Sequence, residues 1–160
     1  MNDINSPKGM RDIGHKPFLL RKATAAGKIY LNQKSLDAII NKTSDKGDVL
    51  ENAKLAAIHT AKLTPQIIFM AHPITLNSVK TAFRIEKDHV ACEVSVEAIE
   101  RTGVELEALS GVMGALLAIL DLSKKYEKDE NGQYPITKID DVKVLNKTKE
   151  VINSGLERTQ

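Results

Sequence analysis

The sequence predicts an α+β sandwich in which an antiparallel sheet is covered by helices on one face. The first observation is a pair of segments, residues 77–87 and 89–98, whose apolar side chains recur at every second position as in a half-buried strand. The Lys87-Asp88 junction between them has the size of a hairpin turn. The second is a long apolar helix predicted for residues 102–125. The resulting order, strand, helices, strand, strand, helix, strand, is typical of a ferredoxin-like fold with its first helical layer broken in two.

The N-terminal part of the chain is predicted to supply the first strand and a short helix. Residues 1–9 mix Gly, Pro, Ser and Asn and are typical of a flexible arm. Residues 23–31 end in an alternating apolar pattern that suits a strand. The Ser35 hydroxyl can accept a hydrogen bond from a helical backbone, so we predict that it caps a helix over residues 36–42.

The remaining elements follow from capping and turn signals. Asp48 precedes a strongly helical segment, residues 51–62, which must end near Pro65 because proline cannot continue a helix. After the long helix, the turn-rich residues 129–135 lead to a last strand, predicted over residues 141–145.

The composition argues against a nucleic-acid partner. The 23 basic and 21 acidic side chains are interspersed and give a net charge of only +2. With no tryptophan, three tyrosines and three phenylalanines, the chain also lacks the aromatic surfaces on which single-stranded bases stack. A local cluster of Lys and Arg can still bind a small anion in such a protein.

Cysteine content and hydropathy predict a cytoplasmic protein without a membrane segment. Cys92 is the single cysteine, so no intramolecular disulfide can form, and no export signal is visible. The longest apolar run, residues 108–122, is shorter than the roughly 20 apolar residues that a bilayer span needs. A chain of 160 residues is expected to form one domain.

The long helix carries two stripes of different character. Its broad apolar face is predicted to pack on the sheet and consists of Val104, Ala108, Leu109, Val112, Leu116, Ile119 and Leu120. The second stripe combines small residues with an acid at each end and consists of Glu107, Gly111, Gly114, Ala118 and Asp121. Glycines inside a helix cost stability, so something must approach the backbone closely there. Two interpretations are open: tight packing against another helix, or a ligand or second subunit lying on the stripe.

The carboxylates of this helix are candidates for proton transfer. Thr102 and Glu105 have the spacing of a capping box, so Glu105 is either a cap or a site residue, whereas Glu107 has no capping role. Asp121 lies near the helix C-terminus, where the helix dipole disfavours negative charge, and Lys124 is spaced to pair with it. The pair is either a surface ion pair or an acid-base pair at the edge of a pocket.

Helix length restricts how these acids can cooperate. Glu107 and Asp121 are about 14 residues apart, or about 21 Å along the axis, so they cannot both contact one small substrate within a single chain. If both belong to one site, two copies of the helix must meet across a two-fold axis. The stripe of small residues motivates this hypothesis.

Other polar residues are weaker candidates. His72 lies beside Pro73 and is either a structural residue or a general acid or base. Lys46 stands just before a predicted helix N-terminus, where phosphate is favoured, and Arg21 and Lys147 are further candidates for anion contact. The other histidines show no ligand spacing with His72, which argues against a zinc site.

Five short motifs, in order and at compatible spacing, carry a resemblance to a known family. They are Met10-Arg11-Asp12-Ile13 for the family's Met-Val-Asp-Val, Lys46-Gly47-Asp48-Val49 for Lys-Gly-Asp-Val, Met70-Ala71-His72-Pro73 for Leu-Cys-His-Pro, Thr102 to Leu109 for Thr-Gly-Val-Glu-Met-Glu-Ala-Leu with only Leu106 differing, and Asp121-Leu122-Ser123-Lys124 for Asp-Met-Cys-Lys. The chain therefore resembles the MoaC family of molybdenum cofactor biosynthesis over about residues 10–147, the predicted catalytic domain, with residues 148–160 as a C-terminal tail.

The resemblance implies a lyase that converts 3',8-cyclo-7,8-dihydroguanosine triphosphate into cyclic pyranopterin monophosphate with loss of pyrophosphate. It also implies a ferredoxin-like fold and a homohexamer, a trimer of dimers with active sites at the dimer interfaces. No cofactor is expected to be required, although a divalent cation such as Mg²⁺ could accompany the pyrophosphate. The alternative is a non-enzymatic ferredoxin-like module that binds nucleotides or regulates another protein.

The resemblance also assigns roles to residues. It implies that Asp121 and Lys124 are a central acid-base pair, with His72 and Lys46 as further catalytic residues. The implied substrate-binding residues are Met70, Ala71, His72, Glu105, Leu106, Glu107, Arg21 and Lys147. The chain departs from the family at Ala71, which replaces a cysteine, and at Lys147-Thr148-Lys149-Glu150, which replaces a glycine-rich Lys-Ser-Gly-Gly-Lys-Ser segment.

Overall fold

The computed structural model describes residues 8–152 and places them in one antiparallel four-stranded sheet with a helical layer. The strand order β2-β3-β1-β4 is that of a ferredoxin-like sandwich, which confirms the predicted fold class. Most of the arm predicted for residues 1–9 and of the tail predicted for residues 148–160 lies outside the described residues. The elements are β1 (Leu19–Tyr30), α1 (Gln33–Ile40), α2 (Val49–Lys62), α3 (Thr64–Ile67), β2 (Ser78–Ile85), β3 (His89–Glu100), α4 (Glu105–Glu127) and β4 (Lys138–Glu150).

The sheet contains the predicted hairpin and two strands that are longer than predicted. β2 and β3 pair from Ser78 opposite Glu97 to Ile85 opposite Val90, which confirms the hairpin. β1 begins at Leu19 because pairing with β3 extends to Leu19 opposite Glu100. β4 continues through residue 150, past the predicted domain boundary at residue 147, because it pairs with β1 along almost its whole length. The sequence of β4 shows little alternation of apolar and polar residues, because β4 is an edge strand that carries many charged side chains. Its pairing register with β1 is also irregular.

Helix capping differs from the prediction at two of three helices. Asp48 accepts hydrogen bonds from the backbone at the start of α2, as predicted. The predicted cap Ser35 is wrong: α1 begins at Gln33, and Asn32, itself a strong capping residue, accepts from the Ser35 backbone N–H. The capping box of Thr102 and Glu105 is also absent from α4, because the helix begins only at Glu105 and has no side-chain cap.

The helix α4 is the centre of the core. Five residues of its predicted apolar face are fully buried, and Leu109 and Leu120 are partly buried against the same cluster. By length and composition alone, α4 is the single helix among residues 8–152 that could cross a membrane. Half of the apolar 18-residue stretch of α4 is buried. The helix packs against β1, β3, β4 and α2, as the core helix of a sandwich does. The fully buried residues of its face are Val104, Ala108, Val112, Leu116 and Ile119.

The two glycines of α4 are explained by close packing against α2 and β3 of the same chain. A Cβ atom on Gly114 would overlap the side chain of Thr60, and one on Gly111 would lie 2.9 Å from Val94 Cγ1 and 3.3 Å from the carbonyl oxygen of Ala57. Thr60 also donates a hydrogen bond of 2.9 Å to the Ser110 carbonyl. The interpretation as close packing is therefore correct for Gly111 and Gly114, because the space beside both glycines is filled by residues of the same chain.

Candidate active site

The C-terminal end of α4 carries an acid held between two lysines. Asp121 accepts a hydrogen bond of 2.7 Å from Lys124 Nζ at one carboxylate oxygen and of 3.0 Å from Lys46 Nζ at the other. Lys124 is placed by helical spacing, whereas Lys46 arrives on the loop before α2, which Asp48 fixes by capping. Lys46 also reaches the Asp121 carbonyl oxygen at 3.2 Å. We call Lys46, Asp121 and Lys124 the Asp121 cluster.

The charges of this cluster stabilise one another. The hydrogen bonds from Lys124 and then Lys46 hold the pKa of Asp121 below its ordinary value. The same contact with Asp121 raises the pKa of Lys124 above its ordinary value. The three side chains are about half exposed and line a small cavity of about 140 Å³. The cluster thus offers a solvent-accessible carboxylate that can accept a proton and two ammonium groups that can stabilise developing negative charge.

The other end of α4 opens into a strongly basic cavity. Its volume is about 400 Å³, and in the part of the chain that the structure describes it is lined by one carboxylate, that of Glu105, and by six basic side chains. We call it the basic cavity. Its basic residues are Lys16, Arg21, Lys22, Arg101, Lys147 and Lys149. A polyanion such as a triphosphate is the ligand that this charge distribution favours.

Strand pairing builds the basic cavity from distant parts of the sequence. Arg21 on β1 donates to the carbonyl oxygens of Glu100 (3.3 Å) and Arg101 (3.2 Å) at the end of β3. Lys147 on β4 is paired with β1 and donates a hydrogen bond of 2.5 Å to Glu105. Burial acts to raise the pKa of Glu105, but the hydrogen bond and the charge of Lys147 outweigh it and leave the pKa below its ordinary value.

Sequence reasoning found only part of this cavity. Arg21, Glu105 and Lys147 were predicted as substrate-binding residues and do line it. Lys16, Lys22, Arg101 and Lys149 are not predicted, because these cations come from four separate parts of the sequence and meet only through the pairing of β1 with β3 and β4. The one sequence signal was the position of Lys22 next to Arg21 at the start of a strand.

Glu107 is a buried carboxylate with an unsatisfied oxygen. It is only 2% exposed, and its Oε2 atom has no hydrogen-bond partner among residues 8–152. Burial raises the pKa of Glu107 to about 7, and the nearby charge of Glu105 adds to this effect. At neutral pH the carboxyl is therefore poised between its two protonation states, which suits an acid-base role. Leu106, its predicted neighbour in the substrate site, is a little under half exposed.

The segment Met70 to His72 follows α3 and is separate from both clusters. His72 Nε2 lies 2.7 Å from the carbonyl oxygen of Arg11, and Met70 is exposed while Ala71 is buried. The loop that continues from this segment reaches the end of β3 through a hydrogen bond from the Thr75 backbone to Glu100. Within the single chain, His72 contacts neither the Asp121 cluster nor the residues of the basic cavity.

The predicted site residues are therefore divided between opposite ends of α4. Glu105 begins the helix and Asp121 lies about 16 residues further on, or about 24 Å along the axis. Lys46 and Lys124 join Asp121, whereas Arg21 and Lys147 join Glu105. One small molecule cannot touch both groups within one chain.

The described residues offer little to a metal ion. Residues 8–152 contain no group of three or more His, Cys, Asp or Glu side chains that could hold one. Burial raises the pKa of the Cys92 thiol to about 12, so this cysteine stays protonated and unreactive at neutral pH.

Comparison with known proteins identifies the family. The sequence model described as the MoaC family matches residues 10–150. A protein of Sulfurisphaera tokodaii named "Probable cyclic pyranopterin monophosphate synthase" is 47% identical over 138 residues, which cover 86% of this chain and 91% of the relative. A protein of Methanococcoides burtonii with the same name is 45% identical over 145 residues, 91% of each chain.

A third relative has a slightly different name. It is a "Probable cyclic pyranopterin monophosphate synthase accessory protein" of Methanothermobacter thermautotrophicus, 43% identical over 144 residues that cover 89% of this chain and 91% of the relative. The relatives and the family model agree over nearly the whole domain. The chain belongs to the MoaC family.

Proposed function

We propose that this protein is a cyclic pyranopterin monophosphate synthase of molybdenum cofactor biosynthesis. It converts 3',8-cyclo-7,8-dihydroguanosine triphosphate into cyclic pyranopterin monophosphate and releases pyrophosphate. Family membership and the names of the relatives support the reaction. The structural observation that carries the proposal is the Asp121 cluster, in which a carboxylate and two ammonium groups meet at the edge of a cavity.

The Asp121 cluster supplies the proton transfers that this reaction requires. Opening and rebuilding a purine-derived ring moves several protons between carbon, nitrogen and oxygen atoms. Asp121 remains ionised and can accept a proton, while Lys46 and Lys124 can stabilise the negative charge that develops as it does so. His72 and Glu107 are proposed to assist as further proton donors or acceptors, with Met70, Ala71 and Leu106 shaping the substrate site.

The basic cavity is proposed to bind the triphosphate. Its six cations match a group that carries several negative charges, and they can also stabilise the charge of the departing pyrophosphate. No cofactor is required in this proposal, since the side chains provide the positive charge, and a divalent cation would accompany the pyrophosphate only as part of the substrate. Chelation of divalent cations is expected to leave turnover in place.

A site shared between two chains would bring the Asp121 cluster of one chain together with the basic cavity of the other. Because the basic cavity and the Asp121 cluster lie at opposite ends of α4, a substrate that contacts both must lie where one chain's cavity faces the partner's Asp121 cluster. We propose a dimer of this kind as the active unit, assembled as a trimer of dimers, in the cytoplasm. Exposed apolar side chains that such contacts would bury are Leu55, Phe69, Met113 and Leu117.

The reaction itself is tested by incubating the purified full-length chain with the cyclic triphosphate. The expected result is formation of the pterin product with one pyrophosphate for each product molecule, measured by chromatography and a pyrophosphate assay. Recovery of unchanged substrate in the presence of excess folded protein would contradict the proposal.

A further inference from the structure

Glu105 is an acidic residue in a cavity whose other charged side chains are basic and could bind an anion. Among residues 8–152 it is the single carboxylate that lines this cavity, and its side chain is only about a quarter exposed. Its Oε1 atom accepts the hydrogen bond from Lys147 described above. The Glu105 carboxylate therefore binds the Lys147 ammonium group, which would otherwise be available to a bound anion.

The local backbone is arranged so that Glu105 can take this position. A Cβ atom on Gly103 would overlap the Glu105 carboxylate, so a side chain at position 103 would displace it from the cavity. Lys147 lies opposite Ala23 in the β1–β4 pairing, so its backbone is held by the sheet. Its side chain is about two-thirds exposed, so the ammonium group can change partners by rotation alone.

A neighbouring donor also lacks an acceptor among the described residues. Arg101 lies with its guanidinium 4.6 Å from the centre of the Phe18 ring, and its buried Nε atom has no hydrogen-bond partner within residues 8–152. A carboxylate bound to one cation thus stands beside a donor that a phosphate oxygen could satisfy.

We propose that Glu105 is an internal competitor of the substrate's phosphates, which binds Lys147 until a polyphosphate displaces it. The inference rests on the proposed function and adds a role for this residue within it. Displacement transfers the Lys147 hydrogen bond from a carboxylate oxygen to a phosphate oxygen, and no covalent bond changes. Glu105 thereby weakens polyphosphate binding and favours release of the pyrophosphate product.

Titration of the full-length chain with inorganic tripolyphosphate, followed by calorimetry at low salt, tests this role. Glu105→Gln is expected to bind tripolyphosphate about two- to fivefold more tightly than the unaltered chain, the range expected for one partly exposed ion pair. Glu86→Gln is the matched control, since it removes the same charge in the turn between β2 and β3, at the end of β3 away from the cavity, and the affinity of this variant should not change. Glu105→Ala should change the affinity in the same direction if the glutamine variant folds poorly.

A second background separates competition for Lys147 from a general effect of charge. In Lys147→Met, five basic side chains of the cavity remain, and Glu105→Gln should no longer improve binding, because the competing contact is already gone. An equal gain in both backgrounds, no gain in either, or weaker binding by Glu105→Gln would overturn the inference. Failure of the unaltered chain to bind tripolyphosphate would also overturn it, whereas the proposed function is decided separately by conversion of the cyclic triphosphate.

Discussion

Lys46 Nζ lies 3.0 Å from Asp121 Oδ2, although 75 positions separate the two residues in the chain. Helical spacing alone accounts for the contact of Asp121 with Lys124, but Lys46 reaches it only because the start of α2 lies beside the end of α4. Packing of the helical layer thus converts an ordinary ion pair into a carboxylate between two cations.

Removing either lysine should lower the catalytic rate and leave the fold intact. Lys46→Met and Lys124→Met each remove one ammonium group from Asp121, and we expect kcat to fall about 10²- to 10⁴-fold, the range for loss of one acid-base group. Both side chains are about half exposed, so circular dichroism and the unfolding midpoint should change little. Lys54→Met, which removes a lysine bound to Glu51 on α2, is the control and should retain full activity.

Two inactive variants should restore activity when they are mixed. Lys147→Met damages the basic cavity and Asp121→Asn damages the other cluster, so a mixed dimer contains one doubly damaged site and one intact site. Random exchange of equal amounts should recover about a quarter of the original activity, because half of the dimers are mixed and half of their sites are intact. The measurement is turnover after the two variants are dissociated and reassembled together. Activity that stays at the level of the separate variants would show that each site belongs to one chain.

Glu107 should make stability depend on pH near neutrality. Its pKa is raised from 4.5 in the unfolded chain to about 7 in the folded one, so the folded state binds the extra proton between these values. Stability contributed by the protonated group is complete below about pH 4.5 and is lost as pH rises to about 7. The free energy of unfolding of Glu107→Gln should therefore rise relative to that of the unaltered chain by about 2 kcal/mol as the pH increases from 5 to 8, a value reduced for solvent screening.

Urea unfolding of both proteins across this pH range measures the effect of Glu107. The difference in the free energy of unfolding between the two proteins is the relevant quantity, because other groups titrate equally in both. A difference that does not change with pH would mean that Glu107 is ionised in the folded chain.

Gly114 should tolerate no side chain. A methyl group there would overlap Thr60, whose hydroxyl is already bonded to Ser110 and to its own helix, so α2 would have to move away from α4. We expect Gly114→Ala to lower the free energy of unfolding by about 1 to 3 kcal/mol, although alanine is the better helix former. Gly9→Ala, at an open position, is the control and should change stability by less than about 0.5 kcal/mol. An unchanged or higher stability of Gly114→Ala would contradict the packing described for the two helices.

Sequence patterns predicted the elements whose signals are local. The hairpin, the core face of α4 and the Asp48 cap each depend on spacing within one segment, and all three are confirmed. The failures have equally physical causes. Ser35 was displaced as a cap by Asn32 three positions earlier, and its hydroxyl instead donates to the buried carboxylate of Glu127.

The division of the site between the two ends of α4 follows in part from helix spacing, but the composition of the basic cavity does not. Helix length predicts that Glu107 and Asp121 are too distant to share one site within a chain, but the spacing leaves open whether the small residues between them pack against another helix or face a ligand or second subunit. Gly111 in fact lies against Val94 of β3 and Ala57 of α2, and Gly114 lies against Thr60 of α2. The basic cavity depends on the register of β1 with β3 and β4, and a charged edge strand such as β4 carries no apolar alternation from which that register could be inferred.

Single-turnover conversion of the cyclic triphosphate tests whether the Asp121 cluster is the catalytic centre. It is measured for the unaltered chain and for Asp121→Asn at equal concentration of folded protein. Asparagine has nearly the same size as aspartate but is neutral, so the variant has no negative charge between Lys46 and Lys124. We expect full conversion by the unaltered chain and a rate at least about 10²-fold lower for the variant, with the same unfolding midpoint. Conversion by Asp121→Asn at the original rate would contradict the assignment of the Asp121 cluster as the catalytic centre.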